Sequence, residues 1–198
     1  QLIKKLKEKG IVYSTVLDPS VELLQYFKNN NDESTVDFVQ SDWESYSPKT
    51  KYDLIVSIHT FYYITEWKKS TQRMLDSLNP NGILCICIWS KDEIYKFKEH
   101  FLPKLNDGYT SERNYDEICQ TLDEMAIKYQ GELVESQLDV SDCLKINDEG
   151  KMLIEFMLRK PYGQIFPNVQ KEIFEYLKQN SKSGKLTHRD GFLWIKKQ

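Results

Sequence analysis

Five consecutive residues, His59-Thr60-Phe61-Tyr62-Tyr63, join a titratable ring to three aromatic side chains. Histidine changes charge near neutral pH and can donate or accept a hydrogen bond. Aromatic faces exclude water and attract cations. Such a run suits a small nitrogenous ligand, and equally a set of core aromatics under a loop beside a surface histidine. Two acids stand in similar settings, Asp18 in Asp18-Pro19-Ser20 and Asp42 in Gln40-Ser41-Asp42-Trp43. Asp18 can accept hydrogen bonds from ribose hydroxyls, or serve as a helix N-terminal acid favoured by capping and the macrodipole. Asp42 can accept from an adenine amino group with Trp43 as a stacking face, or be a loop acid beside a core tryptophan. Near the C-terminus, Thr187-His188-Arg189-Asp190 is either a charged turn or edge, or a segment that offers Asp190 to a substrate amine. The turn is the simpler reading.

The elements that must carry these residues can be read from hydrophobic pattern. Leu54 to Ile58 and Ile83 to Ile88 are nearly unbroken apolar runs, as in parallel strands covered on both faces. Between them lie the aromatic loop, an amphipathic helix and the turn Asn79-Pro80-Asn81-Gly82. Pro80 stops the helix near Leu78, and Gly82 is expected to take a positive φ. Ligands in such sheets sit at the carboxyl ends of strands, where the His59 loop begins. Upstream, the pattern predicts a helix closed by Gly10, a strand from Ile11 to Leu17, and a helix from Val21 to Lys28 with Leu23, Leu24 and Phe27 on its inner face. A polar loop from Asn29 to Ser34 and a strand from Val36 to Val39 follow. Downstream it predicts helices over Lys91–Leu105, Tyr115–Met125, Lys151–Leu158 and Asn168–Lys178. Strands are predicted at Glu132–Leu138 and Leu186–Ile195, with an irregular stretch from Val140 to Ile146. Alternating strands and helices with two late strands imply an α/β sheet with an antiparallel finish.

With 198 residues, the chain is long enough for one domain with a full core. Hydrophobic residues make up 40% and charged residues 29%, as in an ordinary soluble protein. A net charge of -3 gives no electrostatic case for nucleic acid. No apolar run nears the roughly 20 residues that a membrane span needs. Cys85, Cys87, Cys119 and Cys143 lack paired metal spacing. Cys85 and Cys87, two apart on a predicted strand, read as small buried hydrophobes of a reducing compartment. His59, His100 and His188 show no metal-ligand spacing either, so no metal is expected.

An acid after one strand, an acid after the next and an aromatic loop after a third resemble the later strand tips of class I S-adenosylmethionine-dependent methyltransferases. There they would be strands two, three and four. The stretches LDPSVELLQYFK, YDLIVSIHTFYYITEW, LDEMAIKYQGELVESQLDVSDCL and SGKLTHRDGFLWI further resemble the histamine N-methyltransferase family in order and spacing. Asp18-Pro19-Ser20, Tyr62-Tyr63 and Asp139-Val140-Ser141-Asp142-Cys143 are the most specific matches. The resemblance implies a Rossmann-like three-layer α/β sandwich whose N-terminal part is missing, with S-adenosylmethionine as cofactor. It places Asp18 at the ribose-binding position, Ile58 beside the methyl donor and Ser45 at a donor-contacting serine. His59 falls where the family has a glutamine that contacts the substrate imidazole, and Asp190 where it has a substrate-contacting asparagine. Leu23 falls on a further donor contact. The family's glycine-rich loop after its first strand is not found in these 198 residues.

The expectation is therefore one methyltransferase-like domain over residues 1–198, a fragment lacking the first strand and glycine-rich loop. It would methylate the nitrogen of a small amine or imidazole-type acceptor. Asp18, Asp42, Trp43, Ser45 and Ile58 are assigned to the donor, and His59, Tyr62, Tyr63 and Asp190 to the acceptor. His59 is the catalytic candidate. The expected protein is a cytoplasmic monomer that acts on a small molecule, with no nucleic-acid or membrane partner. The alternative is a non-catalytic binding or regulatory module that retains the fold.

Overall fold

In the apolar runs of this chain, β-branched and aliphatic residues favour extended backbone, while charged stretches with apolar residues three and four apart favour helix. The computed structural model describes residues 2–10, 13–30, 35–106 and 113–197. The predicted strand start at Ile11 and the loop residues 31–34 lie outside the described residues. The chain divides into two compact units, Gln1–Thr50 and Lys51–Gln198.

The first unit holds α1 (Leu2–Glu8), β1 (Ser14–Asp18), α2 (Val21–Asn29) and β2 (Val36–Gln40). The two strands pair in parallel, from Ser14 opposite Val36 to Asp18 opposite Gln40. A parallel pair needs a crossover, and α2 supplies it. Ser20 starts α2 by accepting from the Leu23 N–H at 3.2 Å. Of the three residues expected on its inner face only Leu24 is buried, and Leu23 is 50% exposed.

The second unit begins with β3 (Tyr52–Ile58), a 3₁₀ turn at Phe61–Tyr63, α3 (Trp67–Asp76) and β4 (Leu78–Trp89). It continues with α4 (Glu93–Leu105), α5 (Tyr115–Glu124), β5 (Gln130–Asp139), α6 (Ser141–Lys145) and α7 (Asp148–Leu158). It ends with α8 (Pro167–Asn180) and β6 (Lys185–Lys196). The strand order is β3-β4-β6-β5. β3 and β4 are parallel, and β6 runs antiparallel to both of its neighbours. Side chains alternate across a strand, so β6 shows its two faces to different helices. Leu186 belongs to the core formed with α4, α7 and α8, whereas Gly191 lies against Tyr115 of α5. Phe97, Phe101, Leu158 and Leu177 are fully buried in that core, each contributing roughly 1.5–3 kcal/mol.

Three expectations are corrected. Asn79-Pro80-Asn81-Gly82 is not a free turn but the irregular start of β4, where the register with β3 shifts between Tyr52 and Leu54. Asn81 carries the positive φ, 64°. Gly82 is required for a different reason: a Cβ there would sit 3.0 Å from the Asn79 carbonyl oxygen and 3.1 Å from that of Tyr52. Val140–Ile146, expected to be irregular, contains the short helix α6. The third correction concerns Thr187-His188-Arg189-Asp190, which is neither turn nor edge but an unbroken part of β6, between β4 and β5. Pairing with β4 ends at Trp89 opposite Asp190. Beyond that point the β6 N–H groups still need acceptors, and the first acids of α4 provide them. Asp92 accepts from Arg189 N–H at 2.6 Å and Glu93 from Thr187 N–H at 2.6 Å.

Candidate functional site

His59 is the first residue after β3, held there by its N–H to the Cys87 carbonyl of β4 at 2.8 Å. Its φ is 50°, a left-handed conformation that few side chains adopt readily and histidine tolerates better than most. This geometry brings His59 Nε2 to 3.3 Å from Asp190 Oδ1 on β6. Two predicted site residues far apart in sequence are thus neighbours at the carboxyl end of β3 and β4. Trp89 gathers the surrounding rings, with centroids 5.8 Å from His59, 5.8 Å from His188 and 6.3 Å from Tyr62. The buried Lys98 places its ammonium 3.7 Å from the Trp89 ring centroid.

A second histidine stands behind Asp190. His188 Nε2 lies 3.1 Å from Asp190 Oδ1, and its Nδ1 lies 2.9 Å from Asp92 Oδ2. Asp92 is almost wholly buried and caps α4, with Oδ1 accepting from the Tyr95 N–H at 2.7 Å. Three donors therefore converge on one buried carboxylate, the arrangement that makes a buried charge tolerable.

The two imidazoles are driven apart in acidity. The hydrogen bond to Asp92 is the main cause that raises the His188 pKa above the ordinary histidine value, with burial opposing it and Asp190 assisting. His59 is shifted downward, chiefly by burial, with Asp190 opposing and His188 and Lys98 reinforcing. Relative to a free histidine, His59 thus holds a proton less readily and His188 more readily. Asp190 Oδ1 is close to both Nε2 atoms in distance, yet it is buried and aligned with neither for a hydrogen bond. His59 Nδ1 is likewise buried without a hydrogen-bond partner. Cys87, 3.9 Å from His59 Nε2, has its thiol pKa pushed up to about 12 by burial, with Asp190 and Cys85 adding to the shift.

The aromatic run divides. Phe61 is core, fully buried against Trp67 at 5.9 Å between centroids. Tyr62 and Tyr63 meet edge to face at 4.7 Å. The Arg159 guanidinium already lies 5.7 Å from the Tyr62 ring and 5.6 Å from the Tyr63 ring. Tyr63 is 67% exposed and Ile58, on the opposite face of β3 from buried Ser57, is 46% exposed. Elsewhere in this unit, a largely apolar cavity of about 140 Å³ is bounded by Trp89, His188, Ile94, Leu138, Phe156 and Met157 among others. A recess of about 370 Å³ along α3 and α5 shares none of these residues.

The donor candidates Asp18, Asp42, Trp43 and Ser45 lie in the first unit, after β1 and after β2. Asp18 Oδ1 accepts from the Ser20 N–H at 2.8 Å, tightening the turn into α2. Asp42 is engaged by Ser45 on both oxygens, from the backbone N–H at 2.7 Å and from the hydroxyl at 3.2 Å. Those bonds hold the Asp42 carboxyl below the usual carboxylate range. Trp43 lies 6.1 Å from Tyr46, ring to ring. Sequence reasoning missed Asp92, Trp89 and Lys98. The cap pattern Asp92-Glu93 before an apolar helix was readable, but its pairing with His188 was not.

Comparison with known proteins bears on the fold. Residues 1–86 match the family model described as a methyltransferase domain. The fold is the Rossmann-like α/β fold of class I methyltransferases. The YcgJ protein of Bacillus subtilis superposes with a TM-score of 0.63 at 14% identity, covering 94% of this chain and 83% of its own. The plantazolicin methyltransferase BpumL, solved with a pentazolic desmethyl analog and SAH, superposes with a TM-score of 0.54 at 14% identity, covering 100% and 72%. In sequence, histamine N-methyltransferase of Danio rerio is 24% identical over 189 residues, which cover 84% of this chain and 63% of that protein. Malonyl-[acyl-carrier protein] O-methyltransferase 2 of Ilyobacter polytropus is 34% identical over 85 residues, 42% of this chain and 32% of that protein. The chain thus spans less than two thirds of the length of these curated relatives.

Proposed function

We propose that the full-length protein transfers a methyl group from S-adenosylmethionine to a neutral nitrogen of a small amine or imidazole-type acceptor. The observation that carries this reading is the His59–Asp190 pair beside Trp89 and Tyr62, at the strand ends where α/β folds hold ligands. Asp18 fits a nucleoside partner: its Oδ1 is used by the turn into α2, and a carboxylate has lone pairs left for ribose hydroxyls. Asp42 and Trp43 would hold the adenine, with Ser45 fixing the Asp42 carboxylate. When bound, the sulfonium of the donor supplies an electrophilic methyl group.

The work left to the chain is positioning. Alignment at near-contact distance can contribute roughly 7–11 kcal/mol of barrier lowering. His59 orients the acceptor nitrogen or takes its proton, directly or through water. Asp190 accepts from an N–H of the acceptor, while Tyr62 and Tyr63 exclude solvent. Support for a nitrogen acceptor comes from this polar pair set among the aromatic rings of Trp89 and Tyr62. In the full-length protein, His59→Ala should lower turnover at least roughly 100-fold, within the range of a lost general acid or base, and leave S-adenosylhomocysteine affinity intact. Unchanged turnover removes His59 from the mechanism.

A further inference from the structure

We propose that His59, Cys87 and Asp190 form a binding site for a divalent transition-metal cation of the zinc class. One donor atom from each residue lies within 4.8 Å of the others, and no comparable group occurs among the described residues. His59 Nε2 to Asp190 Oδ1 is 3.3 Å, and Cys87 Sγ to His59 Nε2 is 3.9 Å. Tetrahedral zinc with ordinary bond lengths separates nitrogen from oxygen by about 3.3 Å and nitrogen from sulfur by about 3.6 Å. The two edges that meet at His59 Nε2 are within a few tenths of an ångström of these values, and the third, from Cys87 Sγ to the Asp190 carboxylate, is within 4.8 Å.

A plain ion pair explains the cluster less well. Asp190 Oδ1 is buried, close to two imidazole nitrogens and in line with neither. An oxygen aimed at a shared centre has that geometry, because a cation does not need a donor hydrogen on the line. Cys87 is 4% exposed, which argues against a nucleophile and suits a ligand reached from one side. The side chains of His59 and Asp190 are 30% and 26% exposed, so a fourth position opens outward for water or a nitrogen ligand. Three protein ligands with one open position characterise catalytic rather than closed structural zinc sites.

The surroundings hold the ligands in place. His188 is fixed by Asp92 and lies against Asp190, with Nε2 3.1 Å from Oδ1, outer contacts of the kind that surround metal ligands. The carboxylates of Asp92 and Asp190 offset the nearby Lys98 and His188. Thiolate and imidazole donors select zinc or a similar borderline ion over magnesium and calcium, which take oxygen. The ligands come from the end of β3, from β4 and from β6, so only the sheet assembles them. This site goes beyond the methyl-transfer reading: a cation on His59 Nε2 occupies the lone pair that an acceptor would meet, so the two occupancies exclude each other.

The test is zinc titration of the untagged, reduced full-length protein in competition with a chromophoric chelator, repeated with Co²⁺ to observe thiolate charge-transfer absorption. One equivalent should bind, with a thiolate band that Cys87→Ser abolishes and Cys85→Ser and Cys119→Ser leave intact. Asp190→Asn and His59→Gln, checked for folding by circular dichroism, should each weaken zinc at least tenfold. Failure of the protein to compete for zinc overturns the proposal, as does affinity indifferent to both Asp190→Asn and His59→Gln. Neither result bears on S-adenosylhomocysteine affinity, which tests the methyl-transfer reading separately.

Discussion

Two pairs of carboxylates in this protein are placed in opposite settings. Asp18 and Asp42, after β1 and β2, accept from residues two and three positions further along the chain. Asp92 and Asp190, around the end of β4 and on β6, also face groups that the sheet brings near: besides the local Tyr95 N–H, Asp92 bonds His188 and Arg189, 96 and 97 positions away. A locally closed acid shapes its own turn and leaves the rest of the fold indifferent. An acid closed over long range ties separate elements together, and its environment governs the acidity of its neighbours. The first kind suits a preformed ligand contact at a strand tip. The second builds a site.

The contrast can be broken by mutation. Asp92→Ala should have the largest effect, since it strands the Tyr95 and Arg189 N–H groups and removes the partner of the half-buried His188 ring. Breaking a buried pair by removing one partner costs about 3–5 kcal/mol, to be read from urea denaturation midpoints. Asp92→Asn keeps one acceptor oxygen and should cost about 1–3 kcal/mol, the range for a buried donor left unmade. At the small end, Asp42→Ala and Ser45→Ala should leave the unfolding midpoint unchanged within error, because water replaces what that turn loses. A large loss from Asp42→Ala, or none from Asp92→Ala, would undo the distinction.

The same distinction explains what could be read in the sequence. The apolar runs of β3 and β4 and the stripe of α4 announce themselves, because burial on a regular period leaves a pattern in the chain. α6 leaves none: in five residues only Cys143 is buried, too little for a period to show. The charged Thr187-His188-Arg189-Asp190 looked like a turn because the acids that complete its ladder sit on α4, more than ninety positions away. His59 and Asp190 stood out as residue types, and their adjacency did not. Phe61 illustrates the converse, an aromatic in a suggestive loop that the core absorbs while its neighbours Tyr62 and Tyr63 pair with Arg159. Where a side chain's partner is local, sequence conveys its surroundings; where the partner is distant, it conveys only candidates.

The central claim, that this chain belongs to an enzyme which uses an adenosyl sulfonium held in part by Asp18, is tested most directly by isothermal titration calorimetry of S-adenosylhomocysteine against the full-length protein. The account predicts saturable binding that Asp18→Ala weakens at least tenfold, the equivalent of about 1.4 kcal/mol for one charged hydrogen-bond acceptor, and that His59→Ala leaves unchanged. Absence of binding, or binding untouched by Asp18→Ala, would contradict it.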